Sequence, residues 1–244
     1  MLLWYHKGKN FGDALNPYIF NKLIPGCFDN DPASIFIGIG SLLGYPQPKN
    51  SKKIVFSTGF GGGDRNTYGV APKIDASYEV LAVRGPLTAK AIKVSPSLAV
   101  TDGAILLKSV IEPNKRTRTN KVGYIPHVGS MAFYNWKRVC DDAGLTFISP
   151  SEQIDLIIDK MLSCRLIITE AMHGAIVADV LRIPWVPVIG YPTINTFKWR
   201  DWCLSLNMNY TPKLLPRIYS TEFREARIDR RTKNLAPMFV KSSI

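Results

Sequence analysis

Short apolar runs rich in β-branched residues recur along the chain, each closed by glycine or a capping residue and followed by a stretch of helical period. That alternation is the signature of an α/β protein. Residues 34–39, 53–57 and 79–83 read as strands of the first half, with 2–6 and 98–101 as shorter candidates. Helices are predicted over 14–23, with Pro17 in or near the first turn, and over 86–93, where Pro86 suits a first helical position. Residues 112–120 carry no apolar period and form the predicted boundary. Beyond it the alternation restarts with a strand over 121–125, a helix over 130–143, a strand over 145–148 and a helix over 151–163, opened by Ser151 with early acids. A strand over 165–169, a helix over 172–181 and a strand over 185–189 follow. The expected architecture is two Rossmann-like halves, residues 1–112 and 121–206, then a C-terminal extension over 207–244. Ligands of such sheets bind beyond the carboxyl ends of the strands, so a cleft between facing halves is the expected site.

Composition narrows the setting. Of 244 residues 46% are apolar, enough to bury a full core, and no polar low-complexity tract points to disorder. No apolar run approaches the roughly 18 to 20 residues of a membrane-spanning helix, and Met1–His6 lacks the pattern of a secretory leader, so a cytoplasmic location is expected. Cys27, Cys140, Cys164 and Cys203 match neither a zinc spacing nor a disulfide framework and read as buried thiols. Thirty-one basic against 19 acidic residues give +12, which favours an anionic partner. The excess sits in residues 108–121 and in the tail from Lys213, without aromatics interleaved, so nucleic acid is not the expected partner. The tail suits peripheral contact with the anionic inner face of a membrane, or simply a solvated basic surface.

Several motifs stand at predicted strand ends. His173-Gly174 lies where a buried strand turns into a helix whose first amides attract anions, and Gly174 lets a phosphate or carboxylate approach the backbone. A bound anion would raise the His173 pKa; a capping or core histidine is the alternative. Gly59-Phe60-Gly61-Gly62-Gly63 has the backbone freedom to surround a ligand or to make an ordinary turn. Gly38-Ile39-Gly40-Ser41-Leu42-Leu43-Gly44 has one residue too many for a dinucleotide fingerprint. In Asn10-Phe11-Gly12-Asp13 the aspartate is either a helix cap or a carboxylate placed to take a proton from a sugar hydroxyl. Arg84, in Val83-Arg84-Gly85-Pro86-Leu87-Thr88, suits bidentate anion binding or a salt bridge. Thr101-Asp102-Gly103 is explained by a turn.

Together and in this order, Asn10 to Asp13, the glycine loop, Val83 to Thr88, Thr101 to Gly103 and Ala171-Met172-His173-Gly174 resemble the polysaccharide pyruvyl transferases, over about residues 2–206. In particular they resemble the ketal-forming enzymes of bacterial exopolysaccharide assembly, of the succinoglycan type. The resemblance implies two facing Rossmann-like domains of glycosyltransferase-B-like arrangement, no metal and no cofactor. It also implies transfer of the enolpyruvyl unit of phosphoenolpyruvate to a sugar or lipid-linked oligosaccharide. It places the catalytic histidine at His173 and the donor-binding arginine at Arg84. Two positions depart from the pattern: Ala171 and Thr193 stand where many relatives carry arginine and some carry lysine. Lys198, or Arg200, is the candidate replacement for that charge.

The mechanism expected of such an enzyme protonates the methylene carbon of the enol ether and lets a sugar hydroxyl attack the resulting oxocarbenium-like centre. His173 would act as the acid and Asp13 would take up the hydroxyl proton. Arg84, Lys198 and the backbone around Met172 and Gly174 would hold the donor, and Asn10, Gly61 and Gly62 complete the substrate-binding candidates. A nucleotide-sugar glycosyltransferase of the same architecture and a non-catalytic membrane-peripheral binding protein are the competing readings.

Overall fold

The computed structural model describes residues 1–62, 68–112, 119–190 and 193–215. They form a mixed α/β fold with two parallel sheets, divided into two compact units. Met1–Pro113 and Asn195–Tyr210 make the first unit; Asn114–Ile194 and the residues from Thr211 make the second. Each sheet is consistent with a Rossmann-like half.

The first unit contains β1 (Leu2–Trp4), α1 (Phe11–Leu23), β2 (Ser34–Ile37), β3 (Lys52–Thr58), β4 (Tyr78–Val83) and α2 (Pro86–Ile92). Its strands pair in parallel in the order β1-β2-β3-β4, so all four carboxyl ends lie along one edge. Ile35, Ile37, Val55 and Val83 of three strands pack with Leu42, Leu43, Ala89 and Ile92 as the core. Burial of each large aliphatic side chain contributes about 1.5–3 kcal/mol. Near the end of β3 the register with β4 shifts on both sides of Phe56, and Ser57 takes a left-handed φ of 65°, the geometry of a bulge that redirects the chain leaving the sheet.

Helix α1 starts three residues before its predicted position, because Asn10 caps it by accepting from the Gly12 N–H. Pro17 therefore lies in the helix interior and cannot donate to the Asp13 carbonyl. The Asn16 side chain takes over, donating from Nδ2 to that carbonyl at 3.0 Å, and it also exchanges bonds of 2.9 and 2.7 Å with the Ile39 carbonyl and N–H beyond β2. One buried amide thus repairs the proline break and fixes α1 to the sheet. The strand predicted over 98–101 is replaced by a short 3-10 turn (Pro96–Leu98) and a single parallel bridge between Val83 and Ala99. Asp102 then caps a second 3-10 segment, Gly103–Ser109.

The second unit contains β5 (Lys121–Ile125), α3 (Trp136–Ala143), β6 (Thr146–Phe147), α4 (Ile154–Leu162), β7 (Cys164–Thr169), α5 (Met172–Val180), β8 (Trp185–Ile189) and β9 (Lys213–Leu214), parallel in the order β6-β5-β7-β8-β9. Tyr124, Trp136, Cys140 and Val188 form one buried cluster. The helix expected over 130–143 is divided into a 3-10 segment, Val128–Ala132, and α3, because Asn135 recaps the chain by accepting from the Arg138 N–H. Ser151 does not open α4, which begins at Ile154 behind Gln153.

The partition departs from the sequence reading in one stretch. Residues 195–210, grouped there with the second half and the tail, return to the first unit, and 196–205 form helix α6 (Thr196–Ser205). The physical reason is a buried charge: the Arg84 Nε donates to Asp201 Oδ2 at 3.0 Å, with both side chains fully buried. Cys27 is exposed, against expectation, whereas Cys140, Cys164 and Cys203 are buried. The basic tail beyond Leu215, the centre of the predicted boundary and Gly63 lie outside the described residues.

Candidate active site

In the first unit the carboxyl edge of the sheet collects the predicted residues. Asn10 provides the cap of α1 and donates from Nδ2 to Asp13 Oδ2 at 2.9 Å, so Asp13 is not spent on capping. The Asp13 carboxylate is 15% exposed, with the exposed His6 ring 3.8 Å away. Gly40, at φ 122°, places its backbone beside it; a Cβ there would stand 3.6 Å from Asp13 Oδ1. The phenol of Tyr45 is pushed up by burial and by the Asp13 charge, which marks it as a neighbour.

Lys198 is carried into this group by α6, where Asn195 accepts from its backbone N–H. The residue as a whole is half-buried, and the pKa of its ammonium is pushed down to about 8. Loss of hydration is the main cause and the Arg84 charge the second; the carboxylates of Asp13 and Asp102 act in the opposite sense. Asp102 is fully buried and accepts from the Ala104 N–H through Oδ1. Arg200, one turn away from Phe197, is exposed. Between the two basic residues considered for the missing charge, Lys198 is therefore the one placed among carboxylates at the strand ends.

Arg84 has a different setting from the one its motif suggested. Its guanidinium is fully buried, donating to Asp201 from Nε, to the Ser41 hydroxyl from Nη1 at 2.8 Å and to the Phe60 carbonyl from Nη2 at 2.7 Å. Asp201 also accepts from the Thr88 N–H at 2.9 Å and from the Thr88 hydroxyl. This geometry is a clamp that holds α6 against the loops after β2, β3 and β4 rather than an open anion receptor.

The glycine loop is likewise filled from within. A Cβ at Gly59 would lie 2.2 Å from Arg84 Cζ, one at Gly61 would meet the Tyr68 ring at 2.2 Å, and one at Gly62, whose φ is 79°, would meet Phe197 at 2.5 Å. These glycines let the protein's own side chains pack closely against the loop.

In the second unit β7 ends at Thr169 and α5 begins at Met172 behind Ala171, whose side chain makes no capping bond. His173 occupies the first turn of α5 and is half-buried, with Nε2 shielded from solvent. Met172 is a core residue at 3% exposure. Gly174 serves packing: a Cβ there would lie 2.5 Å from Thr169 Oγ1. That hydroxyl accepts from the Ala171 N–H at 2.9 Å and lies within donating distance of the Ile125 and Ala171 carbonyls, so the turn carrying His173 is fixed by Thr169.

Between Thr169 and that turn stands Glu170, a residue the sequence reading passed over. Its side chain is fully buried. Oε2 accepts from the His127 N–H at 2.9 Å and from the Ser130 hydroxyl at 2.6 Å, and Oε1 accepts from the Gly190 N–H at 3.0 Å. Burial raises its pKa, while the donors from Ser130, His127 and Gly190 hold it back. The local signal was an acid placed directly after the apolar run of β7. Asp201 and Asn16 offered no comparable signal, because their partners are far away in sequence.

The chain matches the polysaccharide pyruvyl transferase family over residues 4–192. It is also 35% identical, over 216 residues, to the succinoglycan biosynthesis protein ExoV of Rhizobium meliloti (strain 1021). That match takes in 87% of this chain and 66% of the relative, so the chain spans just under two thirds of the length of the curated protein it resembles. Among the described residues no helix is long and apolar enough to cross a membrane. The family match includes Asp13, the glycine loop, Arg84 and the turn that presents His173 on α5, and on this ground the chain belongs to the polysaccharide pyruvyl transferase family.

Proposed function

We propose that this protein transfers pyruvate from phosphoenolpyruvate to a sugar of a polysaccharide repeat unit, free or carried on a lipid, closing a pyruvate ketal and releasing phosphate. The observation that carries the reading is a half-buried histidine in the first turn of α5, behind a residue that does not cap the helix, inside the stretch that matches the family. The first turn of a helix favours an anion, and an anion beside the imidazole favours its protonated form.

In this reading His173 gives a proton to the methylene carbon of phosphoenolpyruvate, and the electron pair of the double bond forms the new C–H bond. The adjoining carbon becomes oxocarbenium-like and is attacked by a sugar hydroxyl, whose proton passes to Asp13. A second hydroxyl of the same sugar attacks that carbon, its C–O bond to phosphate breaks, and phosphate leaves carrying the proton of that hydroxyl, which closes the ketal. Lys198 supplies a cation for the acidic groups of the substrates, and Arg84 acts through Asp201 by holding the helix that carries Lys198. A correctly placed proton donor is worth roughly 10² to 10⁴ in rate.

His173→Ala is expected to lower phosphate release from phosphoenolpyruvate, in the presence of a glycan acceptor, by about 10² to 10⁴ while leaving the circular dichroism spectrum unchanged. Unaltered turnover would remove His173 from the chemistry. Thermal shift with phosphoenolpyruvate against nucleotide sugars separates the readings, since a ligand at 100 times its dissociation constant adds about 2.7 kcal/mol. Stabilisation by the nucleotide sugar alone would favour a glycosyltransferase, and no turnover with any acceptor would favour a binding protein.

A further inference from the structure

Glu170 leaves β7, the strand that lies between β5 and β8 in the second sheet. Its carboxylate reaches both neighbours at once: His127 and Ser130 follow β5, and Gly190 follows β8. Its own backbone N–H donates to the Ile125 carbonyl at the end of β5. Gly190 has no room for a side chain beside it, since a Cβ would stand 3.0 Å from Glu170 Oε1 and 2.8 Å from Leu215 Cδ1. The Ser130 hydroxyl in turn accepts from Trp136 Nε1 at 3.1 Å, which ties the carboxylate to the aromatic core. His127, held through its backbone by Glu170, accepts from the Gly129 N–H at its ring Nδ1, so a neutral ring carries its proton on Nε2. Two of the chain's three histidines therefore stand on segments anchored by one buried carboxylate, and His173 follows it by three residues.

We infer that Glu170 is a positioning residue: from the central strand it fixes the ends of both flanking strands and thereby sets the orientation of the His127 and His173 rings. The His127 N–H, the Ser130 hydroxyl and the Gly190 N–H all donate to this side chain, so a carboxylate satisfies these three contacts and an amide cannot. Turned either way, a glutamine would set its NH2 against the N–H of His127 or of Gly190, and one strand end would be released. The inference about ring position stands independently of the chemistry; its consequence for turnover rests on the pyruvyl transfer reading.

The test is NMR of ring-labelled histidine in the full chain, with the three signals assigned by single His→Gln variants. In Glu170→Gln the His127 and His173 resonances are expected to move while His6, in the first unit, stays in place. Misplacement of about 1 Å costs on the order of 10² in rate, so kcat for phosphate release is expected to fall about 10²-fold with KM for phosphoenolpyruvate changed by less than about threefold. Should Glu170→Gln fail to fold, Ser130→Ala, which removes one donor, is expected to move the same two rings by a smaller amount. Unchanged His127 and His173 signals in a folded variant, or equal movement of all three, would overturn the inference. Movement of the two rings in a protein that never releases phosphate would support it and sink the proton-donor role instead.

Discussion

Each unit buries a charge at the carboxyl ends of its strands, and the two are handled by different means. In the first unit the Arg84 guanidinium meets an opposite charge, Asp201, brought from 117 residues along the chain. In the second the Glu170 carboxylate is held by neutral donors, among them two backbone N–H groups and the Ser130 hydroxyl. A buried ion pair is rigid but fragile, because loss of one partner leaves the other uncompensated. A carboxylate held by dipoles loses one contact at a time. The first arrangement serves to dock a helix, and the second to align neighbouring loops.

The largest expected effect follows from that contrast. Asp201→Ala should cost about 3–5 kcal/mol in urea unfolding, since Arg84 would remain buried without a partner. Glu170→Gln should cost less, about 1–3 kcal/mol for one backbone amide left facing a donor. Equal losses would abolish the distinction. A smaller effect concerns pH. The Lys198 pKa lies near 8 when folded, against 10.5 as its ordinary value. Between those values the unfolded chain holds a proton that the folded chain has released, so this group makes stability rise with pH in that window. Glu170 has the opposite sense: its pKa is raised in the folded state, so its contribution is present in acid and is lost as pH rises through that raised value. Lys198→Met is expected to flatten the alkaline slope and leave the acid side unaltered, as read from melting temperatures between pH 5 and 10. The smallest effect is on stability at all: Cys27 is exposed, whereas burial pushes the Cys140 thiol to about 12 and the Cys203 thiol to about 11. Iodoacetamide on the folded protein should label Cys27 alone, by mass spectrometry, without a change in melting temperature.

Much of the sheet framework was legible in the amino-acid order because β2 to β5, β7 and β8 are short apolar runs ended by turns, and that pattern is local. The turn that carries His173 was legible for the same reason. What could not be read was whatever depends on distant partners. Helix α6 buries Trp199, Trp202 and Cys203 together with Asp201, so it lacks the one-sided apolar stripe by which helices are recognised. Arg84 kept both meanings, clamp and anion receptor, until its partner was located. The start of α1 was misplaced because a proline argues for a helix beginning, and only the Asn16 side chain, bonded to Ile39, explains why Pro17 is tolerated seven residues in. Cys27 was misassigned because a thiol carries no sequence mark of its surroundings.

The return of residues 195–210 to the first unit has a bearing on how the protein can be dissected. The first unit is not finished by the ribosome at the predicted boundary, since the countercharge of its buried guanidinium is among the later residues to be made. A gene cut at any single point before codon 201 would encode an amino-terminal fragment with Arg84 sealed in the interior and no carboxylate from Asp201 to answer it. Separation of the two halves for expression would require grafting the α6 segment back onto the shorter piece.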